Sequence, residues 1–265
     1  MAVIPVFVLA LLRFGIAAVA MLPWSAPRAH ETPLTRREHG LFFLMSFLGN
    51  FLFSICMLSG VRLTTATAAG VIMATLPAVV AIGSWLLLRE RLSRRTLAAI
   101  ALSIGGIALL QFARGARDAS HAATLAGNAL IFGAVICEAS YVIIGKRLAA
   151  TRVPLRVSAL INLWGLALIA PFGLAQLADF DLGTVSGALW SLLVFYSLAA
   201  SLFAVWLWMT GLKHVPANHA GVFTVALPIA ATAVGVLFLG ETFTLLHAGA
   251  LALAAAGVVL IATGK

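Results

Sequence analysis

The chain has 265 residues, of which 63% are hydrophobic and only 9% are charged, and its mean hydropathy is +1.11. That composition excludes an ordinary soluble domain, whose core has no room for so much apolar surface. The net charge of +9 and a pI near 11.1 would suit a nucleic-acid binder, so the placement of the basic residues decides what they serve.

A helix needs about 20 apolar residues to cross roughly 30 Å of hydrocarbon. Nine such runs occur, near residues 3–23, 40–59, 65–87, 95–113, 125–145, 155–176, 187–209, 216–239 and 243–263. Alternating ten-residue segments, the signature of a barrel, are absent from the sequence, and backbone groups in lipid must be satisfied internally, so the runs read as helices. The class expected is an all-α integral membrane protein.

The first run, Ala2 to Pro23, has no basic n-region, carries Arg13 at its middle and lacks a small-residue cleavage site before Trp24. It reads as a retained span, not a signal peptide. The second run holds Asn50 and Cys56, and the third carries Pro77 and leads to Glu90. Gly105 and Gly106 fall on the fourth, and Cys137, Glu138 and Tyr141 on the fifth. The sixth holds Asn162 and Trp164, and the seventh Tyr196, Trp206 and Trp208. Asn218 and His219 open the eighth, which carries Pro228, while His247 begins the ninth. The polar segments Ser25 to His39 and Ala113 to Ala123 read as exposed loops. Cys56 and Cys137 have no metal-ligand spacing and read as packing residues; no metal and no cofactor is expected.

The 17 cationic residues sort by membrane side. The side reached after the first span holds Arg28, Arg36, Arg37, Arg89, Arg91, Arg94, Arg95, Lys146, Arg147, Arg152, Arg156, Lys213 and Lys265. The opposite side holds only Arg62, Arg114 and Arg117, and Arg13 lies within a span. By the positive-inside rule the richer side is cytoplasmic, which puts the C-terminus there. The charge serves membrane topology, and no nucleic-acid partner is expected.

An ungapped offset of 151 residues carries Gly60 onto Gly211, Pro77 onto Pro228, Glu90 onto Glu241 and Gly106 onto Gly257, with 15 identities in the 51 pairs from Gly60 to Leu110. The pairs include turn, kink and helix-end residues, so the repeat is structural and points to a transporter. The connection Arg89 to Arg95 has four arginines and its counterpart Gly240 to Leu246 has none, so the two repeats should face opposite ways. Spans one to four against five to nine leave the first half one helix short, which reads as a late start or a nine-span protein. The organisation expected is a first repeat over 1–113, a connecting loop over 114–124 and a second repeat over 125–265.

The stretches TTATAAGVIMATLPAVVAIGSWLLLRERLS and PANHAGVFTVALPIAATAVGVLFLGETFT each place a proline near mid-span, end in Glu and precede a glycine-rich helix. The chain thereby resembles the drug/metabolite transporter superfamily, in its EamA-type branch with ten helices in two repeats. VLALLRFGIAAVAMLP resembles the second helix of that family's first repeat, with Arg13 at the family's arginine position, and GNALIFGAVICEASYVIIGKRL the first helix of its second. The resemblance implies two inverted repeats, in a 4 + 5 arrangement here, and a secondary transporter moving an amino acid, metabolite or drug-like solute by alternating access. It also implies export across the cytoplasmic membrane.

Ionisable groups in a bilayer cost roughly 2.5 to 3.5 kcal/mol on insertion scales, so deep ones mark functional or paired sites. Arg13 and Glu138 are the deep charges; they read either as a structural ion pair or, for Glu138, as a proton-coupling acid. Pro77 and Pro228 should kink or loosen their helices. Glu90 and Glu241 should fix a turn or cap the following helix. Asn218 and His219 replace the less polar Thr67 and Ala68 of the first repeat, and Asn50, Tyr141 and Trp164 are the remaining pathway candidates. No HExxH, GxSxG, CxxC or GxxxxGK[ST] pattern occurs in the sequence, which argues against an enzyme and against ATP-driven transport. A channel and a non-transporting scaffold stay as alternatives. The partners expected are a small-molecule substrate and the lipid bilayer, with a homodimer left open.

Overall fold

The structure, a computed structural model, describes residues 4–27, 31–115, 124–238 and 244–263. The described residues form helices joined by turns and short irregular connections. In chain order they form α1 (Val6–Ser25), α2 (Arg36–Ser46), α3 (Phe53–Leu63), α4 (Ala66–Met73), α5 (Leu76–Gly83), α6 (Arg94–Gly115), α7 (Leu125–Thr151), α8 (Pro154–Ala178), α9 (Gly187–Tyr196), α10 (Ala204–His214), α11 (Ala217–Phe223), α12 (Ala226–Phe238) and α13 (Leu245–Ala262). Three π-helical segments join some of them: Phe47–Leu52 between α2 and α3, Ser84–Leu88 after α5, and Ser197–Phe203 between α9 and α10.

Among the described residues seven stretches are long and apolar enough to cross a membrane: Val6–Ser25, Arg36–Leu63, Ala68–Leu88, Leu125–Thr151, Pro154–Ala178, Gly187–His214 and Leu245–Ala262. The other two expected spans coincide with α6, which opens on Arg94 and Arg95, and with the broken pair α11 and α12. Large apolar side chains face outward, as hydrocarbon solvent allows; Leu237 and Phe238 are 75% and 78% exposed.

Two compact units form, one from Met1–Phe51 with Ile144–His214 and one from Leu52–Ile143 with Val215–Lys265. Each takes helices from both sequence repeats.

In the first unit α1 and α8 pack antiparallel. Gln176 Oε1 accepts from the Phe7 backbone N–H at 3.1 Å, and Asn162 at the other end reaches Met21 Sδ at 3.7 Å. Between them Gly165 and Gly173 leave room for the Phe14 ring and for the Leu11 side chain. A line of rings runs along the same unit, from Phe7 through Phe172, Phe51, Phe47 and Phe43 to Trp164, with neighbouring centroids 5.4 to 5.9 Å apart. Phe43, Phe47 and Phe51 recur every four residues and so share one helix face.

The segment expected as an exposed loop after α1 is held down. Arg152 donates to Glu38 through Nε at 2.6 Å and Nη2 at 2.7 Å, and to the Thr32 and Pro33 carbonyls at 2.6 and 3.2 Å. Arg156 pairs with Glu31 at 2.6 Å. Both arginine side chains are only 6–7% exposed, so the four charges lie in a setting where Coulomb attraction is strong and an unpaired partner is costly. The hydrogen bonds it donates to Glu38 also push the Arg152 guanidinium above its ordinary pKa. Thr35 and Glu38 close a capping box at the start of α2.

In the second unit α6 and α13, which the 151-residue offset makes equivalent, pack on each other. A Cβ on Gly106 would lie 2.8 Å from the Ala250 carbonyl and 2.9 Å from Ala254 N; one on Gly257 would lie 2.9 Å from the Ala99 carbonyl and 2.8 Å from Ser103 Oγ. The offset maps Ala99 onto Ala250, Ser103 onto Ala254 and Gly106 onto Gly257, so the contacts are reciprocal. Reciprocal contacts at unequal positions require the helices to run antiparallel. Further along, Arg95 at the start of α6 donates to Leu260 O and Thr263 Oγ1 at the end of α13, both at 2.6 Å. The repeats are therefore inverted, and small residues let their last helices approach to backbone contact.

Candidate functional site

The proline spans are interrupted in both repeats. After α4 the chain turns at Ala74 and Thr75, and after α11 it turns at Thr224 and Val225. The turns are tightened by i→i−3 bonds, Thr75 N to Ile72 O at 3.0 Å and Val225 N to Val222 O at 3.2 Å. In each, a threonine hydroxyl covers a backbone carbonyl at 2.7 Å: Thr75 to Ile72 and Thr224 to Gly221. Pro77 and Pro228 fall in the first turns of the helices that follow, where a missing N–H costs nothing. The broken helices meet where Gly221 of α11 packs on Pro77 and Val80 of α5; a Cβ there would lie 3.1 Å from Val80.

Glu90 sits beside this crossing. Arg89 adopts a left-handed conformation, φ 56°, which ends the π-helical segment and turns the chain away. Glu90 then caps α11, a helix 127 residues further on, and not the one that follows it: Oε1 accepts from Ala217 N at 2.8 Å and Oε2 from Asn218 N at 3.0 Å. Pro216 at the cap position offers no side-chain acceptor, so the carboxylate satisfies two orphan donors and sits at the positive end of the helix dipole. Glu241 lies outside the described residues.

The pathway candidates divide between the units. In the first, the Arg13 guanidinium lies 4.2 Å from the Phe14 ring centroid and 6.0 Å from that of Tyr196, a cation–π setting that keeps a charge tolerable in an apolar span. Asn50 is half-buried inside the π-helical segment Phe47–Leu52. Trp164 meets Phe43 edge to face at 5.4 Å. Asn162 is bonded to backbone instead, donating to the Ser158 and Ser201 carbonyls at 2.9 and 2.8 Å.

In the second unit Glu138 and Tyr141 are half-buried on α7, three residues apart and so on one face. Asn218 is 2% exposed in the first turn of α11; its amide reaches the Arg91 carbonyl at 3.5 Å and its buried Oδ1 has no partner among the described residues. His219 follows, half-buried. Arg13 and Glu138 belong to different units. His247 completes a capping box with Thr244, 2.7 Å from its hydroxyl, and is 8% exposed.

The kinship of Ser201 with the pathway candidate Asn50 was missed by residue-type reasoning. Extending the offset back to Phe47 carries the π-helical segment Phe47–Leu52 onto Leu198–Phe203, inside the segment Ser197–Phe203, and Asn50 onto Ser201. Ser201 Oγ is buried without a partner among the described residues. Such widened turns recur at functional sites because the extra residue frees backbone polar groups. Among the described residues no group of three or more His, Cys, Asp or Glu side chains could hold a metal.

Comparison with known proteins agrees with this geometry. Residues 1–112 and 125–263 match the EamA-like transporter family. An uncharacterized transporter of Bacillus subtilis (strain 168), YetK, is 36% identical over 246 residues, 92% of this chain and 74% of its own length. A second uncharacterized transporter of that strain, YyaM, is 21% identical over 219 residues, 82% of this chain and 72% of its own. A crystal structure at 19% identity superposes with a TM-score of 0.77, over 99% of this chain and 88% of that one, which shows a shared fold. The chain belongs to the EamA-like transporter family.

Proposed function

We propose that the protein is a secondary transporter that exports a small organic solute, an amino acid, metabolite or drug-like compound, across the cytoplasmic membrane by alternating access. The supporting observation is the antiparallel packing of the equivalent helices α6 and α13 through Gly106 and Gly257. Inverted repeats supply two similar half-sites, and rocking one against the other opens the path to either side in turn. The arginine-rich connections and the C-terminus lie in the cytoplasm on this reading, and residues 1–113 and 125–265 are the two repeats.

Arg13, Asn50 and Trp164 are proposed solute contacts in the first unit, and Tyr141, Asn218 and His219 in the second. Their mixture of rings and hydrogen-bonding groups among apolar side chains suits an amphipathic solute. Glu138 is the proposed proton-coupling acid, the one carboxylate deep in an expected span. Proteoliposomes holding a solute found by a thermal-stabilisation screen test the reading. Wild type should drive saturable flux under an imposed pH gradient. Glu138→Gln should uncouple flux from the gradient while solute exchange continues; pH-driven flux unchanged by Glu138→Gln removes the acid from that role.

A further inference from the structure

The two cysteines of the chain stand together. Helices α3 and α7 run antiparallel, fastened at one end by Thr64 Oγ1 to Asn128 Oδ1 and by Thr124 Oγ1 to the Leu63 carbonyl, each at 2.6 Å. A Cβ on Gly127 would lie 2.6 Å from the Leu63 carbonyl carbon, and one on Gly60 would lie 3.1 Å from Ile131 N. Glycine on both helices thus brings their backbones into contact. Continuing along the same seam, Cys56 Sγ lies 3.6 Å from where a Cβ on Gly133 would be. One turn further along α7, on the same face as Gly133, stands Cys137, whose thiol the Cys56 thiol neighbours.

A disulfide needs facing Cα atoms about 4.4 to 6.8 Å apart and Cβ vectors that converge. Glycine at 60 and 127 lets the α3 and α7 backbones approach closely along this seam, which favours such a spacing, whereas large side chains there would hold the helices apart. The surroundings are also asymmetric: Cys56 is half-buried and Cys137 is 4% exposed. An incoming reagent therefore meets Cys56 first.

We propose that Cys56 and Cys137 are a redox-active dithiol that closes to an intramolecular disulfide and ties α3 to α7. The oxidant is a small apolar disulfide able to enter from the membrane. The Cys56 sulfur, having released its proton, attacks one sulfur of the oxidant; the oxidant's S–S bond breaks, leaving a mixed disulfide on Cys56 and one small thiol, which takes up a proton. Cys137 then loses its proton and attacks Cys56 Sγ, expelling the second small thiol. Two protein thiols are oxidised by two electrons, and one small disulfide is reduced to two thiols.

The test treats the purified full-length protein, in lipid nanodiscs, with 2,2′-dithiodipyridine, followed by alkylation and intact-mass measurement. Wild type should lose two hydrogens, resist alkylation and carry no adduct, and reductant should restore both thiols. Cys137→Ser should stop at a single mixed-disulfide adduct on Cys56, and Cys56→Ser should leave Cys137 unmodified. Cys137→Ala and Cys56→Ala repeat the comparison in case serine disturbs packing. Wild type ending with two adducts, with free thiols, or with a disulfide only between chains overturns the proposal.

Discussion

Gly106 of α6 and Gly257 of α13 occupy the same place in two repeats, and each seats the backbone of the other's helix. Ala99 and Ser103 receive Gly257 as Ala250 and Ala254 receive Gly106, so the crossing is close to self-complementary. One alignment of the sequence on itself thus appears in space as a pseudo-twofold contact, with the helices reversed.

Side chains at that contact should be costly. Gly106→Leu and Gly257→Leu each force backbones apart, and overpacking of this kind costs about 1–3 kcal/mol. Gly105→Leu is the control on the same helix, since nothing lies within 4 Å of its Cβ position. Thermal unfolding in detergent should show a lowered midpoint for the first two variants and none for the third.

Glu90 should act as the cap of a distant helix. Glu90→Ala leaves Ala217 N and Asn218 N without their acceptor, a loss of about 1–2 kcal/mol by comparison with other caps. Glu90→Gln should restore part of it. Hydrogen exchange at the start of α11 should rise in the order wild type, glutamine, alanine; equal exchange in all three contradicts the capping role.

The Arg152–Glu38 pair should be a strong fastening. Arg152→Met strands Glu38 and the Thr32 and Pro33 carbonyls, and removal of one partner from a buried pair costs roughly 3–5 kcal/mol. Glu38→Gln together with Arg152→Met should cost less than the sum of the two, since the second change removes the stranded charge. Chemical unfolding of the four proteins measures the coupling.

Asn162 should hold the π-helical turn of the seventh span. Asn162→Leu removes the donor to Ser158 O and Ser201 O, leaving buried carbonyls at about 1–3 kcal/mol. Faster hydrogen exchange over Ser197–Phe203 and a lowered unfolding midpoint are the expected results.

Much of the fold was legible because duplication is a property of sequence order. The offset pairs Pro77 with Pro228 and Gly106 with Gly257, and the family membership follows from the same stretches. Asn50 and Ser201 look unrelated by residue type, yet their shared place in π-helical segments appears once backbone geometry is known, because a widened turn has no compositional signature. The partner of Glu90 lies 127 residues away, and the meeting of Cys56 with Cys137 depends on the register of α3 against α7. Charge reads as solvated in a polar segment until packing is seen: Glu31 and Glu38 lie in a stretch that looks like a loop, yet their partners are among the buried arginines. Asn162 and Trp164 are two residues apart on α8, and only packing distinguishes a backbone clasp from an aromatic contact.

Solute counterflow tests the transporter account most directly. Proteoliposomes preloaded with unlabelled solute, with no ion gradient imposed, should take up labelled solute transiently above equilibrium, because an alternating carrier returns faster when loaded than when empty. Uptake that never exceeds equilibrium, or that does not saturate, contradicts alternating access by these inverted repeats.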